Sequence, residues 1–349
     1  MARRPSLAGR IEALLARHWW QPRPTLLARL LQPLAVLAGL AAARRHRAAA
    51  PAAALPVPVI VVGNLIVGGA GKTPTVIALV QALRAAGRRP GVVSRGHGRA
   101  GGAVRPVLPD TPVREAGDEP LLIARRTGAP VWVGRNRRAA ALALCAAHPD
   151  VDLLLSDDGL QHTALARQGE LLVFDERGIG NGLLLPAGPL RQPLPRTLAP
   201  QQRVLYTGAR ASTVLPGVLA LRHLEQAWPL AAWHAGQAEA AVPLTALRGR
   251  PLLAVAGLAA PEKFYAMLQT LGLRFERLPL PDHFDYHRLP WPEGCPDVVT
   301  TEKDAIKLDP QRLAGTRVWV LPLDLQLPPA LVDDLLALLA PRSAHPNAP

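Results

Sequence analysis

The sequence predicts an α/β protein with a parallel sheet in a larger first unit and a second, smaller α/β unit behind it. Three observations carry this. Short apolar runs at 57–62, 90–94, 131–133, 151–156 and 170–175 read as strands alternating with helical segments. A glycine-rich loop joins the first of these runs to a helix. Beyond residue 200 the strands resume, at 204–207, 252–255, 275–280, 297–300 and 318–321, with no second loop of that kind. The expected division is residues 1–50 as basic and apolar helices, 51–200 as the loop-bearing domain, 201–342 as the smaller unit and 343–349 as a disordered tail.

The first run, VPVIVV, is β-branched, as a buried parallel strand is. Glycines follow it, then Pro74 near the start of a helix, where a missing N–H costs nothing. Strand, glycine loop and helix make a phosphate cradle: backbone N–H groups and the helix N-terminus point at an anion. In Ile66-Val67-Gly68-Gly69-Ala70-Gly71-Lys72-Thr73, Lys72 would reach the β- and γ-phosphates and the Thr73 hydroxyl would bind Mg²⁺. The pattern departs from G-x-x-x-x-G-K-[ST] at Ile66, where the first glycine is expected, and Gly68 and Gly69 supply the flexibility instead. An incidental glycine turn is the competing reading. Composition weighs against it: of 40 basic residues only Lys72, Lys263, Lys303 and Lys307 are lysine, and a compact ammonium suits a phosphate cradle.

Net charge is +14, and residues 1–50 hold nine Arg against one Glu. A basic excess suits nucleic acid, a membrane or an anionic substrate. No stacking-aromatic or zinc-finger pattern accompanies it, so nucleic acid is the weakest of the three. Two distant cysteines, Cys145 and Cys295, imply neither a disulfide framework nor a zinc site. Nothing calls for an obligate protein partner. Within 1–50, Trp19 and Trp20 precede an apolar stretch at 25–43 that is interrupted by Arg29, Gln32 and Pro33. These interruptions count against a spanning helix. An interfacial helix or helical hairpin on an anionic membrane surface fits better, with an ordinary amphipathic helix as the alternative.

Further along, residues 95–99 (RGHGR) form a basic loop at a strand's C-terminal end, where ligands bind in doubly wound sheets, or else a solvated turn. Asp118 of GDEP opens a helix, as an N-cap or with a chemical role as well. Arg137 lies near the start of the helix at 135–147. The run 151–156 ends in Asp157 and Asp158, a Walker B-like position in which one Asp would hold Mg²⁺; two turn aspartates are the alternative. His162 contacts substrate or is structural. The loop 178–196 is long enough to suggest function, and Arg191 is its best phosphate ligand. His283, between Asp282 and Phe284, is a surface residue or a base acting near neutral pH.

Taken together, VPVIVVGNLIVGGAGKTP (57–74), VVSRGHGR (92–99), AGDEP (116–120), HPDVDLLLSDDGLQH (148–162), NGLLLPAGPLRQP (181–193), AGLAAPEKF (256–264), PDHFDY (281–286) and TTEKDAIKL (300–308) resemble the tetraacyldisaccharide 4′-kinase family. The blocks span nearly the whole chain, in order. The resemblance implies a P-loop NTPase-like domain and a second α/β domain with the active site between them. It implies attachment to the cytoplasmic face of the inner membrane, and MgATP as donor. The implied acceptor is the 4′-hydroxyl of a tetraacylated disaccharide 1-phosphate, giving lipid IV-A. It implies a dyad of Asp118 and His283, with Asp157 and Asp158 at the Mg²⁺ and phosphate site.

Two positions depart from the family pattern: His97 stands where Tyr is common, so a nucleotide-stacking platform would be smaller, and Gln192 replaces a Glu. A guanine-nucleotide switch would want N-K-x-D, which is absent. A non-enzymatic adaptor would be expected to have lost chemical residues that are all present here.

Overall fold

The computed structural model describes residues 14–48, 52–162, 164–295 and 297–339; the expected tail at 343–349 lies outside them. Eight strands form the first sheet: β1 (Val59–Gly63), β2 (Pro90–Ser94), β3 (Arg105–Val107), β4 (Val131–Val133), β5 (Leu153–Asp157), β6 (Gly169–Phe174), β7 (Gln202–Tyr206) and β8 (Val218–Leu219). Their order is β3-β4-β2-β5-β1-β6-β7-β8, parallel throughout except for the β3–β4 edge pair. In β1 successive side chains face opposite cores. Ile60 and Val62 pack with Val76, Leu79 and Leu83 of the helix Lys72–Ala85, whereas Val59 and Val61 pack with Leu65, Leu144 and Leu190. Burial on both faces explains the unbroken apolar runs at 59–62 and 153–155.

The chain then passes through β9 (Leu221–His223) to β10 (Gln226–Pro229), β11 (Val242–Pro243), β12 (Leu252–Ala256), β13 (Phe275–Pro279), β14 (Asp297–Thr301), β15 (Arg317–Leu321) and β16 (Asp324–Gln326). The second sheet runs β11-β10-β15-β14-β12-β13. Its strands β15, β14, β12 and β13 are parallel, and β10 is antiparallel to both of its neighbours. The outgoing β9 and the returning β16 pair antiparallel as a two-stranded ribbon between the units.

A boundary at residue 200 would split the first sheet, because β7 pairs with β6 from Glu170↔Gln202 to Phe174↔Tyr206 and β8 extends it. The crossing falls instead at β9. The final helix, Pro329–Leu339, returns to the first unit: Leu335 is fully buried, a side chain added at Gly169 would meet Leu338 at 3.4 Å, and Asp334 pairs with Arg203 at 3.3 Å.

At the N-terminal end, residues 14–19 are helical, the chain bends at 20–23, and one helix runs Leu26–Ala48. Of the single helix and the hairpin left open by the sequence, residues 26–48 form one helix, which continues through Pro33. By length and composition Leu26–Arg44 is apolar enough to cross a membrane, and 11% of it is buried. Leu26, Leu30, Leu34, Leu37 and Leu40 are all exposed.

The packing of the last helix sets a test. Leu335→Ala is expected to destabilise the first unit by about 2–5 kcal/mol, the usual cost of emptying a fully buried leucine site. The check is a lowered urea midpoint with an unchanged far-UV spectrum.

Candidate active site

The loop after β1 emerges where the chain changes from building one flank of the sheet, β2 to β5, to building the other, β6 to β8. Ligands of doubly wound sheets bind outside such a point. Gly68 and Gly71 hold φ of +81° and +86°, a region side chains avoid, and Gly71 leads directly into the helix Lys72–Ala85. The amides of that helix's first turn have no helical carbonyl ahead of them. Lys72 Nζ donates to Asn64 Oδ1 at 3.1 Å and lies 3.6 Å from Asp158. Asn64 in turn donates through Nδ2 to the Gly68 carbonyl at 3.1 Å, tying the loop's shape to the lysine's position. Thr73 sits beside Lys72 on the wall of the cleft between the units.

Ile66 and Val67 serve differently from the cradle role expected of them. Ile66 is fully buried and its backbone forms an isolated antiparallel β-bridge with Leu190, and the Val67 amide donates to the Pro189 carbonyl at 2.9 Å. They anchor the loop to the segment 183–191, and the cradle begins at Gly68. An apolar residue at position 66 thus fits a packing role. Ala70 is buried, and its carbonyl accepts from Thr207 Oγ1 at 3.2 Å.

Asp157 ends β5, next to β1, and Asp158 begins the turn after it. Asp157 is almost completely buried, accepts from Ser94 Oγ at 3.1 Å, and has no partner at Oδ1. Burial, then the nearby charges of Glu119 and Asp158, push its carboxyl up to about 7. Asp158, at φ +47°, takes Arg191 Nη1 at 3.1 and 3.2 Å. Burial acts to raise its pKa, but Lys72 and Arg191 overcome that and hold it below the ordinary value. Arg191 therefore stands in the site paired to the second aspartate.

Arg137 is buried, donates from Nη2 to the Asp158 carbonyl at 2.7 Å, and leaves Nε without a partner. Together with Arg95, His97, Arg135, His162 and Arg191 it lines a basic cavity of about 430 Å³. His162 Nε2 is buried without a partner, and burial, then Arg137, lowers its pKa. His97, expected to stack on the nucleotide, lies in this basic cavity, its ring 5.7 Å from that of His283.

The dyad forms across the two units. His283 Nδ1 and Asp118 Oδ2 are 2.8 Å apart although 165 positions separate them in the chain. Since a carboxylate only accepts, Nδ1 carries the proton. Asp282 caps the turn, accepting from the His283 amide at 3.0 Å and supporting its φ of +58°. The hydrogen bond to Asp118 raises the His283 pKa against the effect of burial. On Asp118, burial acts upward but the His283 bond and Lys303 win, so its pKa is lowered.

Sequence reasoning did not single out Glu119, the first-turn acid after Asp118. It lines both the inter-unit cleft and the basic cavity. It also missed Lys303, which lies 3.4 Å from Glu119 and 3.1 Å from Asp282 and bridges the two units. Both sit in motif blocks, GDEP and TEKD; the available signals were the place of Glu119 beside Asp118 and the rarity of lysine in this chain.

A loop that offers amides and a lysine beside paired carboxylates is built to hold a nucleotide's phosphates. Across the cleft, a histidine is fixed through Nδ1 by a carboxylate. The two halves define a P-loop phosphotransferase. Comparison with known proteins narrows the class. The family described as tetraacyldisaccharide-1-P 4′-kinase matches residues 27–340. The tetraacyldisaccharide 4′-kinase of Methylibium petroleiphilum is 52% identical over 344 residues, covering 95% of this chain and 96% of that one. That of Leptothrix cholodnii is 51% identical over 344 residues, covering 96% and 98%. A crystal structure from Aquifex aeolicus, described as the "apo" form of LpxK in complex with ATP, superposes with a TM-score of 0.75 at 28% identity, over 90% of this chain and 100% of that one. The chain belongs to the tetraacyldisaccharide 4′-kinase family. Its activity is the ATP-dependent phosphorylation of the tetraacyldisaccharide, a step of lipid A biosynthesis.

An aspartate kept buried with an unmatched oxygen costs stability. Asp157→Asn is expected to retain or raise the thermal midpoint while turnover falls at least about 100-fold, in the range of losing one preorganised electrostatic group. Scanning calorimetry beside a phosphate-transfer assay checks both halves.

Proposed function

We propose that this chain works with His283 as the base that accepts the 4′-hydroxyl proton and Asp118 as its orienting partner, over nucleotide phosphates held by residues 68–73. The observation that carries the reading is the 2.8 Å His283–Asp118 contact. With Nδ1 engaged, Nε2 is the free face of the ring, and its nearest carboxylate, Asp282, is 3.9 Å away, beyond hydrogen-bonding distance. A base so held needs only a hydroxyl within reach.

The donor cleft and the basic cavity meet at Lys72, Asp158 and Glu119. Lys72 and Glu119 line the cleft, Asp158 and Glu119 line the cavity, and Lys72 touches Asp158. Phosphate on one side and an anionic acceptor on the other thus share a border. Lys72 spreads the charge of the transferred phosphoryl group. Arg137, Arg191 and His162 face the acceptor's own phosphate, a planar guanidinium suiting it best.

The site also fits a magnesium ion. Asp157 offers an unmatched oxygen, with Asp158, Glu119 and the Thr73 hydroxyl nearby. Among the described residues no cluster of three or more His, Cys, Asp or Glu side chains makes a cage, which suits an ion that keeps water and substrate-phosphate ligands. Bound there, Mg²⁺ would neutralise charge on the β- and γ-phosphates.

The exposed leucines of Leu26–Ala48 and the arginines around them support attachment at the cytoplasmic face of the inner membrane, on its anionic lipid.

Transfer of labelled γ-phosphate from ATP to the lipid A disaccharide 1-phosphate, in detergent and with Lys72→Ala alongside, tests the reading. Product that disappears in the control supports it, whereas product that persists with Lys72→Ala rejects the phosphate loop as donor site. His283→Ala is expected to lower kcat by about 10²–10⁴-fold with little change in ATP binding; equal losses in both would count against the base role.

Only neutral imidazole accepts a proton, so kcat/KM should fall as pH drops through the raised His283 pKa. In Asp118→Asn the inflection should move to lower pH, as the bond that raises it is weakened. An unmoved inflection rejects the coupling.

Deleting residues 1–48 should shift the protein from membrane to soluble fractions on sedimentation. Unchanged partitioning assigns attachment to another surface.

A further inference from the structure

The N-terminal segment reaches the phosphate loop through a single arginine. Directly after β6, Asp175 is fully buried and receives three hydrogen bonds from Arg177: Nε at 2.9 and 3.2 Å and Nη2 at 2.7 Å. The same Nη2 donates to the Gly69 carbonyl at 2.6 Å. A side chain built at Gly68 would meet Arg177 Nη1 at 3.6 Å. Arg177 therefore holds the loop by a carbonyl on its outer side and leaves the phosphate-facing amides free. Its guanidinium is covered by the Trp20 ring at 4.4 Å.

Trp20 is itself held in place. The neighbouring Trp19 is buried, donates from Nε1 to the Pro186 carbonyl at 2.9 Å, and accepts at its own carbonyl from the Asn181 amide at 2.8 Å. Gly180, at φ +56°, lies so close to this segment that a side chain there would collide with the Trp19 carbonyl and meet the Trp20 ring at 3.2 Å.

We propose that Arg177 is a positioning residue for the phosphate loop and that Trp20 locks it, so that docking of the N-terminal segment on the kinase domain sets the affinity for ATP. The proposal rests on residues 68–73 being the nucleotide site. A planar cation under an indole face loses freedom and water, and both favour one geometry at Asp175 and Gly69. Releasing the indole lets the guanidinium turn away from the Gly69 carbonyl, and the loop loses its outer restraint. The segment read as a membrane attachment would then also report its own docking to the catalytic centre.

The experiment uses the full chain in detergent, with Trp20→Ala, Trp20→Phe, Arg177→Lys and the Trp20→Ala/Arg177→Lys double variant. A fluorescent ATP analogue without acceptor reads nucleotide binding, and steady-state kinetics read KM for ATP and for the lipid separately. Trp20→Ala should weaken nucleotide binding and raise KM for ATP by about 3- to 10-fold, the range of a partly desolvated cation–π contact, while KM for the lipid stays within about 2-fold. Trp20→Phe should recover most of the loss. Arg177→Lys, which cannot serve Asp175 and Gly69 together, should weaken nucleotide binding to a similar degree. The double variant should be no worse than the poorer single one, as coupled residues are non-additive. A rise in lipid KM with unchanged nucleotide binding would make Trp20 a membrane contact only, and additive losses would break the link to Arg177. Either result overturns the proposal. If the unsubstituted protein binds no nucleotide analogue, the underlying reading of the loop fails instead. Equal melting temperatures across the set separate a binding effect from unfolding.

Discussion

Two neighbouring parallel strands, β1 and β5, end at the same level, and that brings a lysine and an aspartate within 3.6 Å at their tips. Much of the site follows from this contact. Lys72 must stay near the phosphate loop without collapsing onto it, and Asp158 and Asn64 hold it from one side. Asp158 sits between Lys72 and Arg191 and stays ionised despite its burial. Asp157, one residue earlier, faces the other way, toward Ser94. The last strand residue and the left-handed turn residue after it thus have opposite electrostatic fates, one held up by burial and like charge and the other matched by cations.

The same economy governs the loop itself. Its restraints fall on its flanks and its carbonyls: the Val67 amide, the Gly68, Gly69 and Ala70 carbonyls, and the Asn64 side chain are all engaged by other parts of the chain. The helix N-terminus remains open to an anion. Three separate segments after β5 supply the contacts to Val67, Gly69 and Ala70, at 175–177, 183–191 and Thr207, while Asn64 holds Gly68 from within the loop's own segment. A loop that deviates from the usual glycine spacing at Ile66 keeps its shape because it is held from outside.

Much of this was legible in the sequence for a physical reason. Strands buried on both faces must be continuously apolar, so β1, β2 and β5 announced themselves, and chemistry at their ends showed as glycine, lysine or aspartate against that background. Short edge and ribbon strands such as β3, β9, β11 and β16 carry no such constraint, and their two or three residues look like loop. The boundary near 200 was misplaced because β7 is as apolar as any first strand of a new unit; its partner, β6, is recorded only in the pairing. The sequence left a single helix and a hairpin both open at 25–43, because proline is normally disruptive inside a helix. Glu119 and Lys303 remained hidden because each has an ordinary helical reading, and their meeting spans 184 positions.

The meeting of Asp118 and His283 shows what the second unit contributes. The first unit holds the phosphate loop, the paired aspartates and the basic cavity. His283 comes from the turn after β13, so the base role proposed for it requires the units to be apposed. Lys303, Glu119 and Asp282 bridge the same gap, and Lys263 reaches from the second unit to the buried Asp175 at 2.6 Å. Asp175 is also the anchor of Arg177, so the contact that joins the units and the contact that holds the phosphate loop share one carboxylate. The loop's restraint and the His283–Asp118 contact are therefore parts of one arrangement. On the proposed reading of His283 as the base, an open cleft that exposes the phosphates to water would lack the group that activates a nucleophile.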